Sequence, residues 1–175
     1  MPVKLFVCYI VSYNSAQTLR PCIESVLKQK LPEWIKLQIV VTDNASSDAS
    51  FSIACNFLHK PHSCIRNDVN MGFSGAHNQG ISNALAEGAA YILLLNPDAA
   101  LEENSLEKLI LAAELHTEAG MFSPLLLRAS ADLKPLQEKL VDAAGMYITP
   151  SIRHFDRGSN QVLKKDYSQA EYVFG

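Results

Sequence analysis

The stretch Tyr91-Ile-Leu-Leu-Leu-Asn96-Pro97-Asp98 decides the fold, because it is a short apolar run that ends abruptly in polar residues and a carboxylate. Such a run predicts a buried strand, and the residues after it then lie at the carboxyl end of that strand. In open α/β sheets, ligands collect in the crevice beyond these strand ends. A proline-containing turn with an exposed aspartate would give the same local pattern, so the stretch alone leaves both interpretations open.

Two earlier apolar runs end in the same way. Phe6 to Val11 leads into Ser12-Tyr13-Asn14, and Leu37 to Val41 leads into Thr42-Asp43-Asn44. A helical stretch follows each run, and strands that alternate with helices are typical of βαβ units. We therefore predict an α/β fold with a Rossmann-like, mainly parallel sheet flanked by helices.

The alternation continues to about Arg128, and no linker or repeat divides the chain. The further predicted elements are a strand over Ser63 to Arg66, a helix over Gly75 to Ala86, a helix over Ser105 to Glu118 and a strand over Met121 to Leu127. The last residues, Glu171 to Gly175, are typical of a strand entering a turn. We expect one domain over residues 1–175 that lacks the end of its C-terminal part.

Composition narrows the class of protein. A chain of 175 residues with 48% hydrophobic content can bury one sizeable core. A net charge of -3 and scattered Lys and Arg provide no basic face, which argues against a nucleic-acid partner. No apolar run approaches the roughly 20 residues that cross a bilayer. We predict a cytoplasmic protein, working in solution or peripherally at a membrane.

The four cysteines, Cys8, Cys22, Cys55 and Cys64, are widely spaced and form no C-x-x-C motif. We therefore expect reduced, buried thiols instead of a disulfide or a zinc site.

The segments at the first two strand ends contain candidate ligand groups. Ser12-Tyr13-Asn14 can offer a hydroxyl, backbone N–H groups and an aromatic face to a flat ring, or can simply form the turn. Asp43 can accept hydrogen bonds from a base N–H or ribose hydroxyls, a use of strand-end acids known from dinucleotide folds. We favour this function for Asp43, whereas Asp48 is expected to cap a helix.

The segment Asn70 to Gly80 (NMGFSGAHNQG) is a glycine-rich entry to a helix. Glycines let the backbone approach a ligand closely, and a helix N-terminus favours phosphate. The segment is not G-x-G-x-x-G and the chain has no G-K-[ST], which argues against a dinucleotide fingerprint and a P-loop. His77 is either a surface residue or, beside Asn78, a contact to diphosphate or sugar.

Asp98 is the candidate metal ligand. Mg²⁺ is a hard cation that accepts one carboxylate together with phosphate oxygens and water. Asn96 can hydrogen-bond a ribose or a metal-bound water, and Pro97 stiffens the backbone between them.

Taken together, VSYNS, VVTDNASSD, NMGFSGAHNQG and LLLNPDA, in this order, resemble the inverting family 2 glycosyltransferases of the GT-A fold, especially the rhamnosyltransferase-like branch. The resemblance covers essentially the whole chain. It implies a dTDP- or UDP-linked sugar donor, a glycan or lipid-linked acceptor in cell-surface polysaccharide synthesis, and Mg²⁺ or Mn²⁺ as cofactor.

The resemblance also assigns site residues. Asp98 is the metal carboxylate of a D-x-D motif whose first acid is Asn96 here. The implied nucleotide-binding residues are Ser12, Tyr13, Asn14, Asp43 and Asn44, and those near the diphosphate and sugar are Asn70, Gly75, His77, Asn78 and Asn96.

The implied reaction is a single displacement with inversion, for which a carboxylate base activates the acceptor hydroxyl. In the family that base lies downstream of Gly175, so we expect donor binding with weak or no transfer. Two alternatives remain: a nucleotide-sugar-binding module or remnant without turnover, and a nucleotidyltransferase. Exposed edges of an unfinished sheet would also favour self-association.

Overall fold

The computed structural model describes residues 2–163, 167 and 171–173. The chain forms two compact units, Met1–Glu107 and Lys108–Gly175. The single domain predicted for residues 1–175 stays a prediction. Among the described residues, no helix is both long and apolar enough to traverse a bilayer.

The first unit is built on a parallel sheet. Its strands are β1 (Lys4–Ser12), β2 (Ile35–Asp43), β3 (Ser63–Arg66) and β4 (Tyr91–Leu95), in the order β3-β2-β1-β4 with every neighbouring pair parallel. The connecting helices are α1 (Leu19–Leu27), α2 (Ser50–Phe57) and α3 (Gly72–Ala86), and α4 (Ser105–Leu115) follows β4. The predicted α/β class with a mainly parallel sheet is confirmed.

The central strands are buried along most of their length, as a sheet covered on both faces requires. Residues 6–10 of β1 and residues 39–43 of β2 are all buried. One face of α1 is buried as its sequence pattern predicts, through Leu19, Cys22, Ile23 and Val26. Burial of this apolar surface is the main stabilising contribution to the unit.

Helix α3 lies unusually close to the sheet at Gly80. A Cβ atom at Gly80 would stand 2.1–2.3 Å from ring carbons of Tyr9 on β1. The Tyr9 hydroxyl is fixed in turn by a 2.5 Å hydrogen bond with the Thr42 hydroxyl on β2. The absence of a side chain at residue 80 therefore sets the distance between α3 and the sheet.

The second unit contains short antiparallel pairs. Strand β5 (Leu126–Leu127) pairs with β6 (Val141–Ala143), and β7 (Met146–Ile148) pairs with β8 (His154–Asp156). The strand predicted over residues 121–127 is thus wrong except for its last two residues. Helix α4 ends three residues before the predicted Glu118.

The predicted terminal strand is not formed at residues 171–173, and residues 174–175 lie outside the described residues.

The cysteine prediction is half right. Cys8 and Cys22 are free and buried, whereas Cys55 and Cys64 form a disulfide. The chain turns back between α2 and β3, and this brings the two Cα atoms to 5.7 Å although neither residue lies in a recognisable cysteine motif. The spacing alone does not reveal that return.

Candidate functional site

The predicted residues at three strand ends meet at one edge of the sheet. In the β1–β2 pair, Ser12 is in register with Asp43. On the other side of β1, Ile10 is in register with Leu95, so Asn96 follows at the same edge. Every predicted site residue lies in the first unit. The residues that follow β1, β2 and β4 therefore contribute together to the crevice expected beyond the strand ends.

Two polar atoms at this edge are buried and have no hydrogen-bond partner among the described residues. They are Oδ1 of Asp43 and Oγ of Ser12. Asp43 is 1% exposed; its other oxygen, Oδ2, accepts from the backbone N–H of Ser46 at 3.1 Å and lies 3.6 Å from Nε of Arg66. Buried acceptors usually have partners, so this pair marks a place where a ligand would complete the hydrogen bonding.

The side chain of Tyr13 is free to contact a ligand, whereas that of Asn14 is hydrogen-bonded within the protein. The Tyr13 side chain is 52% exposed, so its ring is available to a flat ligand. Asn14 has a positive φ of 50°, and its Oδ1 accepts from the backbone N–H of Ser47 at 2.9 Å. Asn14 thus ties the loop after β1 to the loop after β2, and its predicted contact with a nucleotide stays a prediction.

Asp48 reinforces the same tie. It stands just before α2 and accepts from the backbone N–H of Ser50 at 2.9 Å and from that of Ala16 at 3.0 Å. Burial acts to raise the pKa of Asp48, but the hydrogen bonds from Ser50 and Ala16 outweigh it and hold the pKa below its usual value. The carboxylate therefore accepts hydrogen bonds from the start of α2, as expected, and also from the loop after β1.

Asn44 is buried, at 2% exposure, and joins the end of β2 to the glycine-rich segment. Its Nδ2 donates to Oδ1 of Asn70 at 2.7 Å and to the carbonyl of Gly72 at 3.4 Å. Its Oδ1 accepts from the backbone N–H of Met71 at 3.0 Å and from Nδ2 of Asn67 at 3.1 Å. Its predicted role in nucleotide binding is untested.

The glycine-rich segment leads directly into α3, which begins at Gly72, three residues before the predicted start. Gly72 has φ +72°, a conformation that glycine adopts without strain, and its N–H donates to Oδ1 of Asn70 at 2.8 Å. Gly75 and Asn78 lie on the first two turns, with Asn78 exposed. The segment therefore presents a helix N-terminus at the site, the arrangement that favours phosphate.

His77 is neither on the surface nor hydrogen-bonded at Nδ1 within the described residues. It is 4% exposed, and its ring packs edge-on against Phe73, with centroids 4.3 Å apart, and against Tyr9 at 6.1 Å. Burial lowers the pKa of His77. Of the two alternatives for His77, a surface residue is therefore wrong, and the contact with diphosphate or sugar stays a prediction.

Asn96 and Asp98 are both exposed beyond β4. The thiol of Cys22 donates to the carbonyl of Asn96 at 3.5 Å, and the pKa of Cys22 is raised to about 12, first by burial and then by the charge of Asp98. Among the described residues no three His, Cys, Asp or Glu converge on one point. A lone exposed carboxylate fits Mg²⁺, which keeps several waters and takes its other ligands from phosphate.

Arg66 is the residue of this edge that the sequence analysis missed. It ends β3, in register with Asp43, and its Nη2 donates to the carbonyl of Ser46 at 3.1 Å. Its guanidinium lies 5.2 Å from the ring centroid of Phe51. The same strand-end rule that selected Asp43 would have selected Arg66, had it been applied to β3.

The second unit has a cavity of about 400 Å³. Its lining includes Met121, Phe122 and Arg157, and none of the predicted site residues belongs to it. The guanidinium of Arg157 is paired with Glu171 at 2.6 Å. This cavity therefore shares no lining residue with the predicted site.

Comparison with known proteins identifies relatives. Residues 8–166 match the family described as "Glycosyl transferase family 2". The chain is 34% identical over 105 residues to the minor teichoic acid biosynthesis protein GgaA of Bacillus subtilis (strain 168), covering 59% of this chain and 23% of that protein. It is 31% identical over 105 residues to the succinoglycan biosynthesis protein ExoO of Rhizobium meliloti (strain 1021), covering 60% and 28%. The chain thus spans about a quarter of the length of these relatives.

Solved structures share the fold. S. aureus TarS 1-349 in complex with UDP-GlcNAc matches with a TM-score of 0.57 and 19% identity, over 71% of this chain and 37% of that one. The same protein in complex with UDP matches with a TM-score of 0.52 and 20% identity, over 71% and 38%. The likeness confirms the predicted GT-A type of architecture.

Proposed function

The chain belongs to glycosyl transferase family 2, and we propose on that premise that it binds a nucleotide-diphospho-sugar at the carboxyl edge of its sheet. The sugar is transferred to the hydroxyl of a glycan or a lipid-linked acceptor. The names of the two relatives, from teichoic acid and succinoglycan biosynthesis, support a role in cell-surface polysaccharide synthesis. The TarS complexes favour UDP over dTDP as the first donor nucleotide to test.

One observation carries the proposal: Oδ1 of Asp43 and Oγ of Ser12 are buried without partners at adjacent strand ends. A pyrimidine base or its ribose supplies the N–H or O–H donors that Asp43 lacks, and the Ser12 hydroxyl can donate or accept. The exposed ring of Tyr13 lies beside them and can pack on the face of the base.

The diphosphate binds at the start of α3. The helix N-terminus attracts negative charge, and Gly75 leaves the backbone accessible to phosphate oxygens. Asn70 and Asn78 are exposed there and supply amide groups for phosphate or sugar hydroxyls. We assign His77 a contact with the diphosphate or the sugar, because its Nδ1 is buried and has no partner among the described residues.

Asp98 would hold Mg²⁺ or Mn²⁺, with Asn96 bonding a water of the ion. A divalent cation at this place offsets the charge of the nucleoside diphosphate that leaves during transfer. Asp98 would place the cation just beyond β4, at the same edge of the sheet as the proposed base contact at the ends of β1 and β2.

We further propose an inverting single displacement and a place in the rhamnosyltransferase-like branch. We assign to this chain the donor-binding part of such an enzyme, because the site residues proposed here are all assigned to the base, the diphosphate, the sugar or the metal. None of the described residues is assigned as the base. The expected property of this polypeptide is donor binding with little transfer.

Calorimetry with UDP, dTDP, GDP and ADP in the presence of Mg²⁺ tests the donor site, and a transfer assay with UDP- and dTDP-sugars tests turnover. Binding of UDP or dTDP with weaker binding of the purine nucleotides supports the proposal. Binding of none of the four contradicts it. Rapid sugar transfer would contradict the assignment to a donor-binding part alone.

A further inference from the structure

We propose that Asn44 is a positioning residue, which couples the base-binding strand end to the diphosphate-binding segment without touching the nucleotide itself. This inference rests on the proposed function, because it concerns the same donor site. It differs from the sequence prediction, which placed Asn44 in contact with the nucleotide.

The side-chain amide of Asn44 has no hydrogen-bonding capacity left for a ligand. A side-chain amide offers two N–H donors and an oxygen with two lone pairs. In Asn44, Nδ2 donates to Asn70 and Gly72. Its Oδ1 accepts from Met71 and Asn67. The orientation of the amide is fixed by these partners, since the Met71 N–H can only donate and the Gly72 carbonyl can only accept.

The partners of Asn44 lie next to both halves of the proposed donor site. Asn44 directly follows Asp43, whose unpartnered Oδ1 is the proposed base contact. Asn70, Met71 and Gly72 form the entry to α3, the proposed diphosphate contact. One buried amide therefore bridges two parts of the chain 26 to 28 residues apart, each carrying one half of the donor site.

The hydrogen bonds of Asn44 also fix the position of the segment that enters α3. The backbone N–H of Asn44 donates to the carbonyl of Ser12 at 2.8 Å, so the residue is also attached to β1. Buried polar networks with every group satisfied fix one arrangement, and removal of one partner leaves a costly unpaired group. The phosphate-binding N–H groups of α3 are thus held at a set place relative to Asp43, ready for a diphosphate.

The test compares ligands that share the base but differ in phosphate. Asn44→Asp keeps an acceptor for Met71 and Asn67 but replaces the N–H donors that reach Asn70 and Gly72. In calorimetry or NMR titration, we expect this variant to bind UDP about tenfold or more weakly, a loss equivalent to one strong hydrogen bond, and to bind uridine within about twofold of the unaltered protein. Asn44→Ala, which buries no added charge, serves as the second variant if Asn44→Asp fails to fold.

Val26→Ala is the matched control, because it removes buried apolar volume in α1 and lowers stability without touching the network. It should leave the ratio of uridine to UDP dissociation constants unchanged. Equal loss of uridine and UDP affinity in the Asn44 variants would mean that Asn44 contacts base or ribose directly, and would overturn the inference. So would unchanged affinity for both.

Hydrogen exchange without any ligand separates this inference from the donor proposal. If Asn44 anchors the segment, the N–H groups of Met71 and Gly72 exchange faster in Asn44→Ala and not in Val26→Ala, because Met71 loses its acceptor and Asn70, the acceptor for Gly72, loses its donor. Unchanged exchange there would overturn the anchoring. Failure of the unaltered protein to bind UDP, with faster exchange in the variant, would instead overturn the donor proposal and the coupling to it.

Discussion

At the residue scale, the proposed nucleotide contact depends most directly on Asp43. Its buried Oδ1 lacks a partner among the described residues, and its charge is balanced by Arg66. In Asp43→Asn the acceptor becomes neutral, so we expect UDP affinity to fall roughly ten- to hundredfold, the range for losing a hydrogen bond to a charged group. Isothermal titration in Mg²⁺ measures the change.

The control for that substitution is Asp68→Asn, which removes an exposed carboxylate from the connection after β3. It should alter UDP affinity by less than about twofold, because surface charges are screened. If Asp43→Asn binds as tightly as the unaltered chain, then Asp43 serves only Arg66 and Ser46.

One half-buried histidine, His62, and one buried histidine, His77, give a pH dependence at the residue scale. Nδ1 of His62 accepts from the backbone N–H of Ile39 at 3.1 Å, and burial lowers the pKa of His62 and of His77. Since the unfolded chain takes up these protons near pH 6.5, the stabilisation is complete above that pH. It declines as the pH falls toward the lower folded pKa values.

Urea unfolding at several pH values between 7 and 5.5 checks this expectation. His62→Gln should flatten the decline, by at most about 1.4 kcal/mol per pH unit for the single proton removed. His154→Gln, a change at an exposed strand residue, should follow the unaltered chain. The same slope in His62→Gln would contradict the prediction.

At the residue scale, the sequence could predict those site residues that lie at strand ends. Ser12, Asp43 and Asp98 were selected because an apolar run stops at polar residues, and the structure brings them to one edge. The hydrogen bonds of Asn44 could not be predicted in this way, because its partners lie more than 20 residues away and depend on how the glycine-rich segment folds back.

At the element scale, the contact between α3 and the sheet is the most sensitive to substitution. Gly80→Ala puts a Cβ within 2.1–2.3 Å of the Tyr9 ring, so helix or ring must move. Overpacking of this kind costs roughly 1–3 kcal/mol, and we expect the free energy of unfolding to fall by that amount. Denaturant unfolding measures it.

Gly120→Ala is the same substitution at a place where the added Cβ meets no atom within 4 Å. It should leave the free energy of unfolding within about 0.5 kcal/mol of the unaltered value. If both variants are equally stable, α3 does not depend on close approach at Gly80.

Element boundaries show where the hydrophobic pattern is informative. In the first unit, β4 coincides with the apolar run Tyr91 to Leu95, and α3 begins three residues before the predicted Gly75 and ends at the predicted Ala86. Met121, Phe122, Pro124 and Leu125 are apolar as well, yet residues 121–125 form no strand. Apolar content identifies a segment that seeks burial, but a strand also needs a partner in register, which sequence pattern does not supply.

For the whole molecule, the order of strands with polar ends allowed the parallel sheet to be predicted from sequence, together with a candidate site at one of its edges. The division at residues 107 and 108 was not predicted. Helix α4 runs through that point, and a continuous helical pattern contains no sign of a boundary in tertiary contacts.

The division into two units predicts which residues are protected from hydrogen exchange when the donor binds. All residues assigned to base, diphosphate and metal lie in Met1–Glu107. Saturation with UDP and Mg²⁺ should therefore slow hydrogen exchange at residues 12–16, 43–47, 70–78 and 96–98, because bound ligand lowers the population of open states there. Residues 126–163 should exchange at the same rate with and without ligand. Asp43→Asn, treated identically, should show much less protection. Equal protection in residues 126–163 would mean that the second unit takes part in donor binding, so the site would have to be extended beyond the carboxyl edge of the sheet.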